Sequence, residues 1–537
     1  MQRDSFVTTA LVAAIFLGSA SVGAAEEISF VRLTPAQYQR AIHDIFGRSI
    51  TVDDSVLDPG IREDGLLAVG ARKLTLTAAT LERYESLAQQ VATQVTAPRR
   101  RATLIPCMPR LEEAPDDDCS KRFVTEAGRF LFRRPLTDEQ TRRYVTMARS
   151  ASETLGGFYA GLETALAGML IAPEFLFRVE HAEPDPSHPD ILRLDAYSRA
   201  SRLSFLLWDS SPDAELLAAA ESGALDSTEG LQAQVDRLLS APRTEAGLRA
   251  FFSDLLGFDL FATLSVDASL YPKFTKNVED QAREQTLRTI TDHLLHRNGD
   301  YRNLFTTRDT FLTPSLATLY GVPLPRAQEL GGAVPWVRYR YREDDPHVGI
   351  LTHVSFLALH SHPGTTSPTL RGKALRENLL CQRVPPPPGD VDFSIIQDTS
   401  NPQFRTVRQR LEAHRKNPTC AACHRLTDPV GLTLEVFDVS GVYRTTENGA
   451  PIDPSGNFRG TPYDGITELA PILRDEPAVI SCLVNRAYSY GTSRPPTSEE
   501  WSWLVDTRSA LIDGGVTWRE LMQLIARHEN FYTNPAS

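Results

Sequence analysis

Apolar side chains near the N-terminus recur at the spacing of an amphipathic helix. Thr34 precedes Pro35, and Gln37 stands three residues after Thr34. This is the arrangement of a capping box with proline at the first helical position. The apolar positions that follow at intervals of three and four residues are Tyr38, Ile42, Ile45 and Phe46. The pattern predicts a helix that begins at about Pro35.

The same signals recur through the first two thirds of the chain. Thr137 and Gln140 form a second capping box, and Asp195 suits the N-cap of an amphipathic helix within residues 194–208. We find no sustained alternation of apolar and polar residues in this region, which a half-buried strand would show. Residues 442–458 suit a short β-hairpin. The chain is therefore predicted to be mainly α, with a multi-domain helical body.

The first 25 residues have the parts of a secretory signal peptide. Arg3 is followed by the apolar run 6–17, and small residues precede a cleavage position near Ala25. The run is shorter than the roughly 20 residues that span a bilayer, so cleavage is favoured over a retained anchor. No later segment is long and apolar enough to span. We expect the mature protein outside the cytoplasm, in the periplasm or on the cell surface.

The overall composition is that of an ordinary globular protein, with 41% hydrophobic and 23% charged residues. The formal net charge is -12 at pH 7. A nucleic-acid-binding protein usually presents a basic face, so this balance argues against nucleic acid as a partner.

Residues 420–424 read Cys-Ala-Ala-Cys-His, which is the attachment signature of c-type haem. Two thiols three residues apart on one helical turn can each add to a haem vinyl group. The adjacent imidazole of His424 can then ligate the iron. Covalent haem attachment takes place outside the cytoplasm, which agrees with the predicted export. The sequence predicts one covalent haem c held by Cys420, Cys423 and His424.

Two other interpretations of this motif stay open. A structural zinc site needs four ligands, which His414, Cys420, Cys423 and His424 could supply. Against zinc, the adjacent Cys423 and His424 would point in different directions. A dithiol oxidoreductase would place the two cysteines in a βαβ setting, and the sequence shows no such setting.

The four other cysteines are expected to form disulfides in an oxidising compartment. Cys107 and Cys119 flank a short polar loop, which favours a local bridge. Cys381 and Cys482 would then pair across a long loop. Four cysteines allow three connectivities, and free buried thiols are the alternative.

The sixth ligand of the iron decides between electron transfer and ligand chemistry. Methionine does not occur in residues 336–460. The candidates for a distal ligand are therefore His360, His362 and His414. If none of them binds, the iron stays open to peroxide or oxygen.

The residues around the motif suggest further roles. We expect the second ring nitrogen of His424 to donate to a backbone carbonyl in the turn at Asp428-Pro429, which we predict ends the helix. Arg371 and Arg444 are candidates to bind the haem propionates, with ordinary salt bridges as the alternative.

A chain of 537 residues is expected to form several domains. The four consecutive prolines within residues 384–390 cannot be helical and favour an extended strut. The predicted division is a signal peptide at 1–25, an N-terminal helical domain at 26–105, a helical domain with the Cys107–Cys119 loop at 106–190, a helical domain at 191–335, a haem module that contains the strut at 336–460, and a C-terminal helical domain at 461–537.

Several stretches of the chain, in order, resemble a family of exported bacterial multi-domain proteins. This family combines planctomycete-type surface domains with a cytochrome c-like module and is largely uncharacterised. The resemblance implies export, a haem c module and redox work, but no substrate. The matching stretches are VRLTPAQYQRAIHDIFG, RFLFRRPLTDEQ, LDAYSRASRLSFLLWDSSPDAELL, FLTPSLATLYGVP, GILTHVSFLALHSHPGTTSPTLRGKALRENLLCQRVPPPPGDV, CAACHRLTDPVGLTLEVFDVSGVYR, PIDPSGNFRG and SCLVNRAYSYGTSR.

These features together favour an exported c-type haem protein with a redox function. It would act in electron transfer or as a haem-dependent oxidoreductase, with an unknown redox partner. A surface scaffold or binding protein with a structural haem is the first alternative, and a zinc-stabilised exported protein is the second.

Overall fold

The computed structural model describes residues 27–185, 191–324, 336–386, 396, 398 and 401–533. The predicted signal peptide and residues 387–390 of the proline strut lie outside them. The described chain is mainly helical, as predicted. Its helices are α1 Pro35–Phe46, α2 Leu67–Gly70, α3 Ala78–Thr96, α4 Arg101–Leu104, α5 Asp117–Leu131, α6 Asp138–Leu155, α7 Phe158–Leu170, α8 Pro173–Leu176, α9 Ala196–Trp208, α10 Ala214–Glu221, α11 Thr228–Ser240, α12 Thr244–Leu255, α13 Lys276–Thr291, α14 Pro314–Tyr320, α15 Val354–Leu359, α16 Pro368–Ala374, α17 Val407–His414, α18 Pro418–Thr433, α19 Ile466–Arg474, α20 Pro477–Thr492, α21 Ser498–Gly514 and α22 Trp518–Arg527.

The described strands are short and form antiparallel pairs around the helices. A three-stranded sheet has the order β1-β2-β3, and the other strands pair in twos. The strands are β1 Glu27–Arg32, β2 Phe177–Pro184, β3 Leu192–Leu194, β4 Asp309–Leu312, β5 Val337–Arg340, β6 Ser361–His362, β7 Thr365–Thr366, β8 Thr446–Glu447, β9 Ala450–Pro451, β10 Ser455–Phe458 and β11 Thr461–Asp464.

The predicted helix caps are present. Thr34 and Thr137 each accept a hydrogen bond from the backbone of the glutamine three residues later, and each glutamine side chain returns the bond, so both capping boxes are complete. The Asp195 side chain accepts a hydrogen bond from the Ser198 amide at the start of α9. Such caps satisfy amide groups that the first helical turn leaves without partners.

The predicted hairpin is also present. Asn448 and Gly449, with φ of 48° and 73°, join β8 to β9. Positive φ at both central positions suits the tight two-residue turn that matches strand twist, and Asn-Gly is its preferred sequence. The pair β10 and β11 follows and extends beyond the predicted range, to Asp464.

The strands β1 and β2 form a pair in a region whose sequence shows no sustained alternation of apolar and polar residues. They pair along their length, from Glu27 opposite Ala182 to Arg32 opposite Phe177. The alternation is absent because two of the three buried residues of β2 are the charged Arg178 and Glu180, and the third is Ala182. A search for apolar alternation cannot find a strand in which most of the buried positions are charged.

Buried apolar residues of the described chain form two large clusters and one small one. The first large cluster lies mainly among α1, α3, α5, α6 and α7. The second lies among α9 to α16 and α19 to α22. The small cluster contains Val407, Leu411 and Leu432, with Ile396 packed against it, and belongs to α17 and α18. The segment with the CxxCH motif therefore has little apolar core of its own.

Two disulfides join the cysteines that were predicted to pair. Cys107 bonds to Cys119, with an S–S distance of 2.01 Å. Cys381 bonds to Cys482, with an S–S distance of 2.07 Å, and this bond ties the chain before the proline strut to α20. Within the described residues, no helix combines the length and apolar character needed to cross a membrane.

Candidate functional site

Helix α18 carries the three residues of the motif. Cys420 and Cys423 lie one turn apart, and both are free thiols, whereas the other four cysteines are paired. Residues three apart on a helix lie on the same side, so the two sulfur atoms can meet one flat ligand. Local sequence therefore produces the spacing that two thioether bonds to one haem require.

The two thiols differ in exposure. Cys420 is buried, whereas Cys423 is partly exposed. The Sγ atom of Cys423 lies 3.8 Å from the carbonyl oxygen of Pro385, the second residue of the predicted strut. The start of the proline segment therefore lies against the motif. The remainder of the strut, residues 387–390, is outside the described part of the chain.

His424 is buried and faces Asp428, one helical turn further along α18. Its Nδ1 atom lies 3.0 Å from each of the two carboxylate oxygens of Asp428. A carboxylate only accepts hydrogen bonds, so Nδ1 donates to it, and in a neutral ring Nε2 is left with its lone pair. This is the form of histidine that ligates a metal through Nε2.

The expected backbone acceptor for His424 and the expected end of the helix at Asp428-Pro429 were both wrong. Helix α18 continues through Pro429 to Thr433. Because Asp428 stays helical, its side chain lies on the same side of the helix as His424 and takes the role that a turn carbonyl was predicted to have.

Two hydroxyl groups hold the Asp428 carboxylate. Thr369 on α16 donates to Oδ1 across 3.0 Å, and Thr427 donates to the same atom across 3.2 Å. Asp428 has no exposed surface. Among the described residues, no arginine or lysine forms an ion pair with Asp428, and its titratable partner is the His424 ring. The charge of this carboxylate is therefore directed at the histidine.

Helices α16 and α18 cross closely at two glycines. A Cβ atom on Gly372 would lie 1.9 Å from the carbonyl oxygen of Thr427, and one on Gly431 would lie 1.8 Å from that of Pro368. Only residues without a side chain allow these backbones to approach so closely. The crossing is what brings Thr369 to Asp428 and His424.

Of the three candidate distal histidines, His414 lies at the site. Its ring centre is 5.0 Å from that of His424, and the two planes are tilted by 72°. His414 ends α17, and three residues separate it from α18. The sequence therefore brings the two rings together through a short helix–helix connection.

His360 and His362 lie elsewhere. The His360 ring packs against Phe356, with ring centres 4.8 Å apart. Burial, with a smaller contribution from Arg371, lowers the pKa of His360 to about 3, so it is neutral at pH 7. His362 is exposed in the short hairpin of β6 and β7. Neither ring has a described contact with His424.

Arg371 and Arg444 have structural partners instead of the predicted role at a haem edge. Arg371 is fully buried and donates to the carbonyl oxygens of Leu434, Phe437, Asp438 and Leu357. Arg444 donates to the carboxylate of Glu435 across 2.9 Å. Arg444 therefore forms the salt bridge that was the alternative, whereas Arg371 is held mainly by backbone carbonyls in the interior.

The zinc alternative has no support in the side-chain arrangement. In the part of the chain that the structure describes, no three histidine, cysteine, aspartate or glutamate residues are grouped to hold a metal ion. His424 faces Asp428, and Cys423 lies against Pro385. The two adjacent residues thus point in different directions, as the sequence suggested.

Sequence reasoning did not find Asp428 and Thr369 as partners of His424. Asp428 could have been found, because it stands four residues after His424 and helical spacing places the two side chains together. Thr369 stands 55 residues before His424. No local pattern could indicate that contact, which depends on the helix crossing.

Three segments of the chain match family models of unknown function. Residues 194–322 match PSD4, residues 347–447 match PSCyt3 and residues 119–180 match PSD5, described respectively as proteins of unknown function DUF1592, DUF1588 and DUF1595. These are planctomycete-type domains. The residues that match PSCyt3 include helices α16, α17 and α18, and therefore the CxxCH motif. No curated protein and no solved structure gives a significant match.

Proposed function

We propose that the protein is an exported c-type haem protein with a redox function. Cys420 and Cys423 would bind the haem through thioether bonds, and Nε2 of His424 would ligate the iron. The observation that carries the proposal is the pairing state of the cysteines. Four are joined in disulfides, and the two that remain free are those of the CxxCH motif.

The residues around the motif fit a haem. Nε2 of His424 has no described hydrogen-bond partner, while Nδ1 is held by Asp428. The apolar cluster of α17 and α18 is small, and the apolar porphyrin ring of a haem bound at Cys420 and Cys423 would extend it. The name of the matched model PSCyt3 agrees with a cytochrome-like module. Haem would supply one-electron chemistry at its iron.

Export is supported by two features. The N-terminal sequence has the parts of a signal peptide. The two disulfides are typical of proteins in an oxidising compartment. Haem attachment through cysteine thiols and disulfide formation would then take place in the same compartment.

The test is a pyridine haemochrome spectrum and an intact mass of protein made in a host able to mature c-type cytochromes. We expect one haem per chain in the unaltered protein. Cys420→Ala and Cys423→Ala should each lose one covalent bond and hold haem weakly, and His424→Ala should lose the native absorption spectrum.

The matched control removes two sulfur atoms elsewhere. The double variant Cys107→Ala, Cys119→Ala breaks the local disulfide and leaves α18 intact, so it should keep the full haem content of whatever protein folds. A colourless unaltered protein with the mass of its amino acids alone would contradict the proposal.

For the sixth ligand we propose His414, because it is the candidate that contacts the His424 ring. A bound second histidine makes the iron six-coordinate and favours electron transfer over ligand chemistry. His414→Ala should give high-spin iron that binds cyanide, whereas the control His362→Ala, at an exposed position, should keep the spectrum. Unchanged low-spin iron in His414→Ala would contradict this assignment.

A further inference from the structure

The Asp428 carboxylate is positioned to act on the iron through His424. Both of its oxygens lie 3.0 Å from Nδ1 of His424. Contact through both oxygens fixes the plane of the imidazole and leaves only Nε2 for a metal. The arrangement is a carboxylate–histidine pair, in which the second residue sets the tautomer and raises the basicity of the ligand.

The surroundings of Asp428 direct its charge to one place. The residue is fully buried, where charges interact more strongly than in water. Its described partners are the hydroxyl groups of Thr369 and Thr427 and the His424 ring. In the described chain no cation other than a protonated or metal-bound His424 would balance this buried negative charge.

We propose that Asp428 is a positioning residue that sets the reduction potential of an iron bound at His424. This inference rests on the proposed haem attachment. A more basic imidazole donates more electron density, and a buried negative charge favours the oxidised, more positive iron. Both effects stabilise the ferric state, so Asp428 lowers the potential.

Thr369 helps to orient the Asp428 carboxylate towards His424. Its hydroxyl donates to Oδ1 of Asp428 across 3.0 Å and lies 3.4 Å from Nδ1 of His424. Because Thr369 belongs to α16, the orientation of the carboxylate depends on the helix crossing and not on α18 alone. Loss of this hydroxyl should weaken the orientation of Asp428 but preserve its charge.

The experiment measures the midpoint potential of the haem-loaded, full-length protein by spectroelectrochemistry. Asp428→Asn should raise the potential by at least about 59 mV, which is a tenfold change in the equilibrium constant of a one-electron couple. Thr369→Val, which keeps the volume and removes the hydroxyl, should shift the potential in the same direction by a smaller amount.

Glu412→Gln is the matched control. Glu412 is an exposed carboxylate on α17 in the same module, so its variant removes one negative charge without touching His424. Its potential should equal that of the unaltered protein. A residue that served only the fold would lower the haem content and leave the potential of the loaded fraction unchanged.

The outcomes separate the two levels of the proposal. Unaltered protein that carries no covalent haem would overturn the proposed function and with it this inference. Loaded protein in which Asp428→Asn and Glu412→Gln have the same potential would overturn the inference alone. If Asp428→Asn does not load, Thr369→Val decides, and an unchanged potential in that variant rejects the role of Asp428.

Discussion

Two carboxylates with no exposed surface, Glu180 in the helical body and Asp428 beside the CxxCH motif, are held in opposite ways. Glu180 lies on β2 and is paired with arginines. Arg202 donates to both of its oxygens, across 2.9 and 2.5 Å, and Arg178 lies 3.0 Å away. Asp428 is held by hydroxyl groups and a histidine.

The surroundings of Glu180 join distant parts of the chain. Arg202 also donates to the carbonyl oxygen of Phe531 across 2.6 Å, and Arg178 donates to that of Gly491 across 3.1 Å. The cluster therefore connects β2, α9, the end of α20 and the C-terminal segment. The negative charge of Glu180 is therefore compensated by arginines of the same chain, with Arg72 also 3.7 Å from its carboxylate.

This difference in partners indicates different roles for Glu180 and Asp428. Because arginines of the same chain compensate the charge of Glu180, loss of that carboxylate would leave buried positive charge uncompensated, which is an effect on stability. A buried carboxylate whose one titratable partner is a histidine, as described for Asp428, acts on that histidine and on whatever the histidine binds. The two sites should therefore respond differently to the same change from acid to amide.

The largest expected effect is at Glu180. Glu180→Gln leaves Arg202 and Arg178 buried without their counter-charge, and removal of one partner from a buried pair costs about 3–5 kcal/mol. We expect a loss of unfolding free energy of that size in urea denaturation, with the haem spectrum of the folded protein unchanged.

Glu343→Gln is the control for Glu180→Gln. Glu343 pairs with Arg308 and Arg340, but its side chain is 80% exposed. Exposed pairs contribute about 0–1 kcal/mol, so this variant should be close to the unaltered protein. If Glu180→Gln were as stable as Glu343→Gln, the structural role of the buried cluster would be refuted.

Acid sensitivity is the next effect in size. Burial alone would raise the pKa of Glu180, but Arg202 and Arg178 outweigh it and hold the pKa at about 2, below its ordinary value of 4.5. A lowered folded-state pKa adds stability that is complete above about pH 4.5 and is lost as the pH falls towards 2. A difference of this size corresponds to about 3 kcal/mol.

Unfolding free energies measured between pH 5 and pH 2 check this prediction. The unaltered protein should lose stability steeply over that range. Glu180→Gln has no such carboxyl group, so its unfolding free energy should fall less between pH 5 and pH 2, by the amount that protonation of one carboxylate contributes. If the unfolding free energies of the two proteins fell in parallel, another group would be the cause of the loss of stability at low pH.

The comparison also shows which features local sequence can reveal. The caps at Thr34, Thr137 and Asp195 and the Asn448-Gly449 turn were predictable, because each depends on residues within a few positions. The disulfide of Cys107 followed from its short loop. The free thiols and His424 followed from one pentapeptide.

Features that depend on distant partners could not be predicted in the same way. Ser29 and Glu180, which contact across β1 and β2, stand 151 residues apart. Two of the three residues on the buried face of β2 are charged, so the strand shows no apolar alternation. Thr369 reaches His424 only because two glycines allow α16 and α18 to cross closely. Helices and the contact of His424 with Asp428 were thus predictable, whereas Thr369 and Arg202, which stand far along the chain from the carboxylates they contact, were not.

The smallest effect concerns the crossing that positions Asp428. Gly431→Ala places a Cβ atom 1.8 Å from the carbonyl oxygen of Pro368, a backbone atom that cannot move without separating α16 from α18. Overpacking of this kind costs about 1–3 kcal/mol.

The matched control is Gly168→Ala in α7, where the nearest atom is the flexible Met147 sulfur at 2.9 Å. There the better helix propensity of alanine, worth up to about 1 kcal/mol, offsets the contact. Thermal unfolding of the two variants compares their stabilities directly.

In haem-loaded protein, Gly431→Ala should also shift the reduction potential in the same direction as Thr369→Val, because separation of the helices withdraws the Thr369 hydroxyl from Asp428. Equal stability of the two glycine variants, with no shift in potential, would mean that α18 alone orients Asp428 and that the helix crossing has no part in the site.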